Sequence, residues 1–333
     1  MRFRIGMVAL GLTAVAASAG AQGALKNNNC TGVTADACQQ VVDLFAYMAP
    51  QLGTAMVGGN TTLAQGGNLG GRTLGLMPKF AIDVRLNLVM GNIPELQAPT
   101  VTSAGATAPP PARAFTSATS FVPLPSVDVA VGVWGGFPLG LSSIGGVDVL
   151  LSAAYVPSAD LDQISVKPDS PYKFGYGLRV GLLKESLVAP GIGISFIQRA
   201  MPKTTITGKA GTGATATTVA ITDLDLKATS YRLTVSKSLL IFGVAAGVGF
   251  DKNSASTGIT ITPPVGSAVS FTGLKQDVTR TNYFADLSMN LLVLKIVASG
   301  GMVSGGDIFT YNTFDTAPDK SRMYASVGVR FGL

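Results

Sequence analysis

The chain is 333 residues long, carries 24 basic against 18 acidic residues for a net charge of +6, is 47% hydrophobic but only 13% charged, and contains no histidine. Its mean hydropathy of +0.40 arises without any run of eighteen apolar residues, which excludes transmembrane helices, and the mild, scattered positive charge excludes a nucleic-acid footprint. Without imidazole there is no Ser-His or Asp-His couple and no usual zinc site, so no enzyme, metal or cofactor is expected.

An apolar average without a spanning helix is the composition of a membrane β-barrel, whose outward residues meet lipid while its inward ones stay polar. Met1-Arg2-Phe3-Arg4, the apolar run Ile5 to Ala17 and the small residues at Ala19-Gly20-Ala21 predict a cleavable leader over 1–21, cut after Ala21 or, alternatively, after Ala19. Cys30 follows Asn27-Asn28-Asn29, which is no lipidation site. Cys30 and Cys38 lie close together in an exported chain without a CxxC pattern, so they are expected to form a disulfide.

Residues 22–71 form a separate N-terminal segment, periplasmic or lumenal. Val41, Val42, Leu44, Phe45, Met48, Ala49 and Leu52 recur at helical spacing, with Thr34 or Asp36 before them and Pro50 near the end, which predicts an amphipathic helix over 35–49 that can resume to Met56. Gly58-Gly59-Asn60 through Gly70-Gly71 is a glycine-rich link. No Lys-Ser/Thr and no helix follow it, so it is not a phosphate-binding loop.

From 72 to 333 the chain alternates with a period of two, the mark of strands with one apolar face. Ile82, Val84, Leu86 and Leu88 are expected outward, followed by Val127 to Val133, Val147 to Tyr155, Phe174 to Leu182, Ile192 to Phe196, Tyr231 to Val235, Phe242 to Phe250, Tyr283 to Leu291 and Leu294 to Met302. In the last strand Met323, Ala325, Val327, Val329, Phe331 and Leu333 alternate with Arg322, Tyr324, Ser326, Gly328 and Arg330. The expected inward set is Lys79, Asp83, Arg85, Asp128, Trp134, Asp148, Arg179, Arg199, Arg232, Arg280, Asp286 and Lys295. Opposite charges among them pair across the lumen and solvate it, rather than performing acid-base chemistry.

The pattern gives an all-β, closed antiparallel transmembrane barrel of about ten strands, or twelve if Ile259 to Ile261 and Val269 to Phe271 also cross. Short connections near Phe137, Glu185, Leu239 and Val293 alternate with long ones rich in Thr, Ser, Gly, Ala or Pro. Short turns of such barrels face the periplasm, so both chain ends are expected there. The last strand is expected to pair with the first.

The segment Asp43-Leu44-Phe45-Ala46-Tyr47-Met48-Ala49-Pro50, its Gly/Asn-rich link and the first strand from Lys79 to Leu88 resemble a family of Gram-negative outer-membrane β-barrels catalogued as a domain of unknown function. In outline that family is similar to the long-chain fatty-acid and aromatic-hydrocarbon outer-membrane transporters. Their Asn-Pro-Ala-Gly motif is absent, the nearest stretch being Gly59-Asn60-Thr61-Thr62. The resemblance implies a channel or transporter for small, hydrophobic solutes, gated or plugged by the N-terminal segment. The alternative is a structural or adhesive surface barrel acting through its long loops. Partners implied are outer-membrane lipid, the barrel-assembly machinery and a small hydrophobic solute. Inward Gly175, Gly177, Gly181, Gly191, Gly193, Gly243, Gly247 and Gly249 leave room inside the wall. The helix, with Val41, Leu44, Phe45, Met48 and Leu52 as its apolar face, is the expected occupant, placed in or across the periplasmic mouth; otherwise the glycines relieve curvature and the helix docks elsewhere.

Overall fold

The computed structural model describes residues 30, 32–70, 72–73, 77–95, 97, 99–100, 110–161, 164–210 and 216–332. The expected leader and Leu333 lie outside them. Ten strands form the wall: β1 (Phe80–Pro94), β2 (Ser117–Trp134), β3 (Gly146–Tyr155), β4 (Tyr172–Leu183), β5 (Gly191–Ala200), β6 (Thr217–Leu239), β7 (Phe242–Thr262), β8 (Val269–Leu291), β9 (Leu294–Ser304) and β10 (Arg322–Gly332). Each pairs antiparallel with its sequence neighbour, and β10 pairs with β1 from Tyr324 opposite Val89 to Gly332 opposite Ala81. With β5 also paired to β6 over ten residue pairs, the ring of ten is closed. Three short strands, Ala159–Leu161, Ile164–Pro168 and Thr204–Ala210, extend the sheet beyond the ring along the upper part of β6.

Alternation decides which residues meet lipid. On β7 Phe242, Val244, Ala246, Val248 and Phe250 are exposed while Gly243, Ala245 and Gly249 are buried; on β8 Tyr283, Ala285, Leu287, Met289 and Leu291 are exposed opposite buried Asn282, Phe284, Asp286 and Ser288. The outward face turns polar at Lys252 and Thr279, which sit directly across from one another. The apolar belt therefore spans Phe242 to Phe250, close to the roughly 9–11 residues that a tilted strand needs to cross a bilayer. Outward aromatics border it on both sides, with Tyr155, Tyr172, Phe196 and Tyr231 toward the long loops and Phe80, Phe331, Trp134 and Phe137 toward the short turns, as membrane barrels require.

Strands β6, β7 and β8 run for 23, 21 and 23 residues, so they project past the belt on the long-loop side. Ile259 and Ile261 belong to this extension. They are fully buried and face inward, so the hairpin lengthens two strands of the ten-membered ring instead of adding two more.

The N-terminal helix α1 (Ala35–Val57) runs unbroken through Pro50. Proline lacks the N–H that would bond the Ala46 carbonyl; Gln276 Nε2 on β8 donates to that oxygen at 2.8 Å instead. The wall thus repairs the defect that the sequence marks as a helix end. Val248 sits mid-belt, so Val248→Arg is expected to cost about 2–4 kcal/mol, while Thr260→Arg, on the same face above the belt, should cost well under 1 kcal/mol. Urea unfolding in lipid vesicles measures both.

Candidate functional site

The interior of the ring is occupied. Asp36 at the start of α1 accepts from Thr100 and Arg113, and Asp43 accepts from the Tyr311 and Asn312 amides, both at 2.9 Å, and from the Asn312 side chain at 2.7 Å. All four donors lie in the long connections 95–116 and 305–321, so the helix enters the lumen from the long-loop end. Burial raises the Asp43 carboxyl above its ordinary range, against the pull of those hydrogen bonds. The two connections meet over the helix through the parallel pair Ala114–Phe115 with Thr313–Phe314, where Tyr47, Phe314 and Phe115 stack at 4.8 and 5.8 Å between ring centroids. Cys30 and Cys38 are disulfide-bonded, with Cα atoms 5.5 Å apart.

Within the upper lumen the apolar face of α1 packs against inward residues of the projecting strands. Val41, Phe45, Ala49 and Met56 form one dry core with Val89, Leu124, Leu226, Ile259, Ile261 and Phe284, and half-buried Leu44 and Leu52 pack on its edge. Met48 is half-buried and lies beside Gln51. The helix therefore fills the long-loop half of the barrel and not the short-turn mouth. Most of the inward apolar residues that attract it, Leu226, Ile259 and Ile261 among them, lie above the belt, while Phe284, opposite Gly247, lies within it. Cys30 lies at the long-loop end with it, so only the carboxyl end of the described chain falls on the short-turn side.

Below the helix lies a belt of buried charge. A helix leaves its last four carbonyls without intrahelical donors, and here every one is taken. Gly58 N donates to Thr54 O at 2.7 Å, Asn87 Nδ2 to Ala55 O at 2.9 Å, Arg199 Nη1 to Met56 O at 2.8 Å and Arg232 Nη2 to Val57 O at 2.9 Å. The guanidinium groups also meet the negative end of the helix dipole. The link is read in the same way: Arg85 donates to Asn60 O and Thr61 O at 2.7 and 3.0 Å, and Arg330 to Leu63 O at 2.9 Å. The wall carboxylates take its amides, Asp83 from Leu63 N at 3.0 Å, Asp286 from Ala64 N at 3.1 Å and Asp148 from Leu69 N at 3.0 Å.

The same side chains neutralise one another. Asp128 bridges Arg85 and Arg199 at 2.5 and 2.8 Å, Arg179 pairs with Asp148 at 2.7 Å and Arg232 with Asp251 at 2.6 Å. Expected inward residues Asp83, Arg85, Asp128, Asp148, Arg179, Arg232, Arg280 and Asp286 are all buried inside the ring, though Arg280 serves the upper cap through Gly305 O and Lys320 O. Lys79 and Lys295 are half-buried at the short-turn mouth. Trp134 is a correction. A bulge between Gly132 and Trp134 shifts the pairing with β3, so the indole is 42% exposed and stacks edge-on against Phe137 at 4.9 Å. Arg330 and Asp251 are equally part of the belt. Alternation from Arg322 already puts Arg330 on the polar face of the last strand, and continuing it past Phe250 would have found Asp251.

The glycines also have another partner than expected. A Cβ at Gly132, Gly146, Gly181, Gly191 or Gly193 would strike the link at Gly66 to Gly70, so the link and not the helix is what lies against them. Gly175, Gly177, Gly247 and Gly249 instead make room for wall side chains, among them Arg199, Ile197, Phe284 and Arg232. Arg232→Leu removes the donor to Val57 O and Gly59 O and leaves Asp251 short of its counter-charge. A loss of about 3–5 kcal/mol is expected, together with faster amide exchange in residues 55–66 by mass spectrometry.

No family model matches the chain, and no curated protein matches it. Among solved structures it is similar to a TodX deltaS2S3 mutant monoaromatic hydrocarbon channel, at 8% identity over 84% of this chain and 97% of that one with a TM-score of 0.32. It is also similar to the Pseudomonas putida toluene transporter TodX, at 12% identity over 84% and 96% with a TM-score of 0.32. A third is the outer-membrane channel DcaP of Acinetobacter baumannii, at 7% identity over 80% and 100% with a TM-score of 0.19. The strand pairings themselves, rather than these likenesses, define the fold.

Proposed function

We propose that the protein is an outer-membrane channel for small apolar solutes, held closed by residues 35–70. The observation that carries this reading is the nature of the filling. The ten-stranded wall is lined with small residues and charges below and apolar residues above, and its bore is filled by the stretch of chain that precedes the first strand, seated against the wall by non-covalent contacts. A barrel whose role was purely structural could close its interior with its own side chains, as narrower barrels do. Once α1 withdraws, the upper passage is lined by Val89, Leu124, Val219, Ile221, Leu226, Ile259, Ile261 and Phe284, which suits an apolar solute better than an ion. The charge belt then forms a polar constriction beneath it. In this reading the short turns face the periplasm, the long loops face outward, and no catalytic step is involved.

The second reading, a structural surface barrel, is favoured by the tight grip of the connections 95–116 and 305–321 on α1. Planar-bilayer recordings separate the two. The full chain should conduct little. Deleting residues 25–70 should raise single-channel conductance severalfold, and Arg85→Ala together with Arg232→Ala should produce intermittent openings in the intact chain. A truncated barrel that assembles yet conducts no better than the full chain would leave the structural reading in place.

A further inference from the structure

The short-turn end of the barrel carries an apolar rim that its turns do not need. The tips of all four short turns among the described residues carry leucines that are more exposed than the other large apolar residues of their turns: Leu141 at 78%, Leu187 at 94%, Leu240 at 98% and Leu292 at 105%. The opposite end is built differently, its long connections being rich in Thr, Ser, Gly, Ala and Pro.

Two of these leucines also sit in an unfavourable backbone conformation. Leu240 and Leu292 have φ of 54° and 53°, in two-residue connections where asparagine or glycine normally supplies the positive φ. A leucine there is more strained than asparagine and, in water, exposes more apolar surface. Both choices become favourable together only if the surroundings of the tip are apolar.

The occupant follows from continuity. Outward Leu239 and Phe242 flank Leu240, and Leu291 and Leu294 flank Leu292, so both tips adjoin lipid-facing side chains, and Lys237, on the outward face of β6 before Leu239, has its ammonium tied to the Ser186, Leu187 and Ala189 carbonyls. Trp134 and Phe137, the aromatic pair expected at a membrane interface, lie on the same rim as Leu141. At this end Lys79 and Lys295 are half-buried at the mouth of the lumen, and Glu185 is held to the wall, where it accepts from Ser236 Oγ and Ser238 N. We propose that the four short turns are immersed in the acyl boundary of the phospholipid leaflet on their side of the membrane, so that the barrel ends inside the lipid and its mouth opens through the headgroup layer.

The test uses the full chain in vesicles of phosphatidylethanolamine and phosphatidylglycerol, with no other protein present. The described cysteines are both in the disulfide, so Leu240→Cys and Leu292→Cys each offer one thiol for a nitroxide. Val248→Cys serves as the lipid control, and Val265→Cys, 88% exposed on the long-loop side, as the aqueous one. Collision with dissolved oxygen should exceed collision with a water-soluble nickel chelate at both tips, as at position 248. Nickel-dominated relaxation like that at 265 would overturn the proposal and leave a protein partner to cover the rim. If a cysteine variant fails to assemble, Leu292→Trp in a Trp134→Phe background moves the chain's single tryptophan to the tip. Quenching by acyl-brominated lipid is then expected, and quenching by aqueous iodide alone would overturn the idea.

Discussion

Four carbonyl oxygens at the end of one helix organise this molecule. A helix that stops in the middle of a protein must find donors for its last turn or lose several kcal/mol for each orphaned group. Here the wall provides three of the four, Asn87 from β1, Arg199 from β5 and Arg232 from β6. Two buried arginines need counter-charges in turn, and Asp128 and Asp251 supply them. Asp128 then fixes Arg85, which reaches the next carbonyls along the chain. The inward charges are thus spent on backbone as much as on each other. Replacing such a network by apolar residues of matched volume could be neutral for stability, but a featureless apolar bore could not specify where along its length the helix stops.

The division of labour along the barrel axis follows from strand length. Where the strands cross lipid, the inward positions carry the charges and glycines, with a small apolar cluster of Ala81, Ala130, Leu150 and Ile197 among them, and the thin glycine-rich link passes through. Where β6 to β8 project beyond lipid, the inward positions become Ile, Leu and Val, and the thicker helix fits among them. Water-facing walls outside the membrane can thus enclose an ordinary globular core, while the membrane-spanning part holds the charges. That is the reverse of a naive expectation from the surrounding solvent, and it arises because the core is shielded by the barrel wall and not by the bilayer.

Much of this was legible from residue order, because a period of two is a local property. Outward Phe242 to Phe250 and Tyr283 to Leu291, the ten strands, the alternation of connection length and the closing pair of first and last strands all follow from it. What escaped depends on contacts far apart in sequence. Nothing near Pro50 signals that Gln276 will serve Ala46 O and let the helix continue. The bulge at Val133 that turns Trp134 away from the lumen is a one-residue slip, invisible to any alternation count that assumes none. The glycines at 181, 191 and 193 announced a close approach correctly, but whether helix or link approaches them is decided by where the apolar residues Ile221, Leu226, Ile259 and Ile261 sit along the axis. The tertiary address of α1 was written in strands made long after it.

That order of synthesis constrains how the protein can fold. The helix is made before any strand, yet its socket combines residues of β1, β5, β6, β7, β8 and the last long connection, and the seam that completes the wall pairs Tyr324 to Gly332 with Val89 to Ala81. The earliest stretch of chain therefore has no finished place to go until the latest stretch arrives. Contacts this distant in sequence are slow to form because the loop entropy is spent before they return anything. The nascent helix, with a full apolar face and nothing to bury it against, must in the interval remain unfolded or be sheltered by a chaperone. Ring closure and the seating of the helix are then one event, with the amino-terminal segment as the template around which the final turn of the wall is drawn shut.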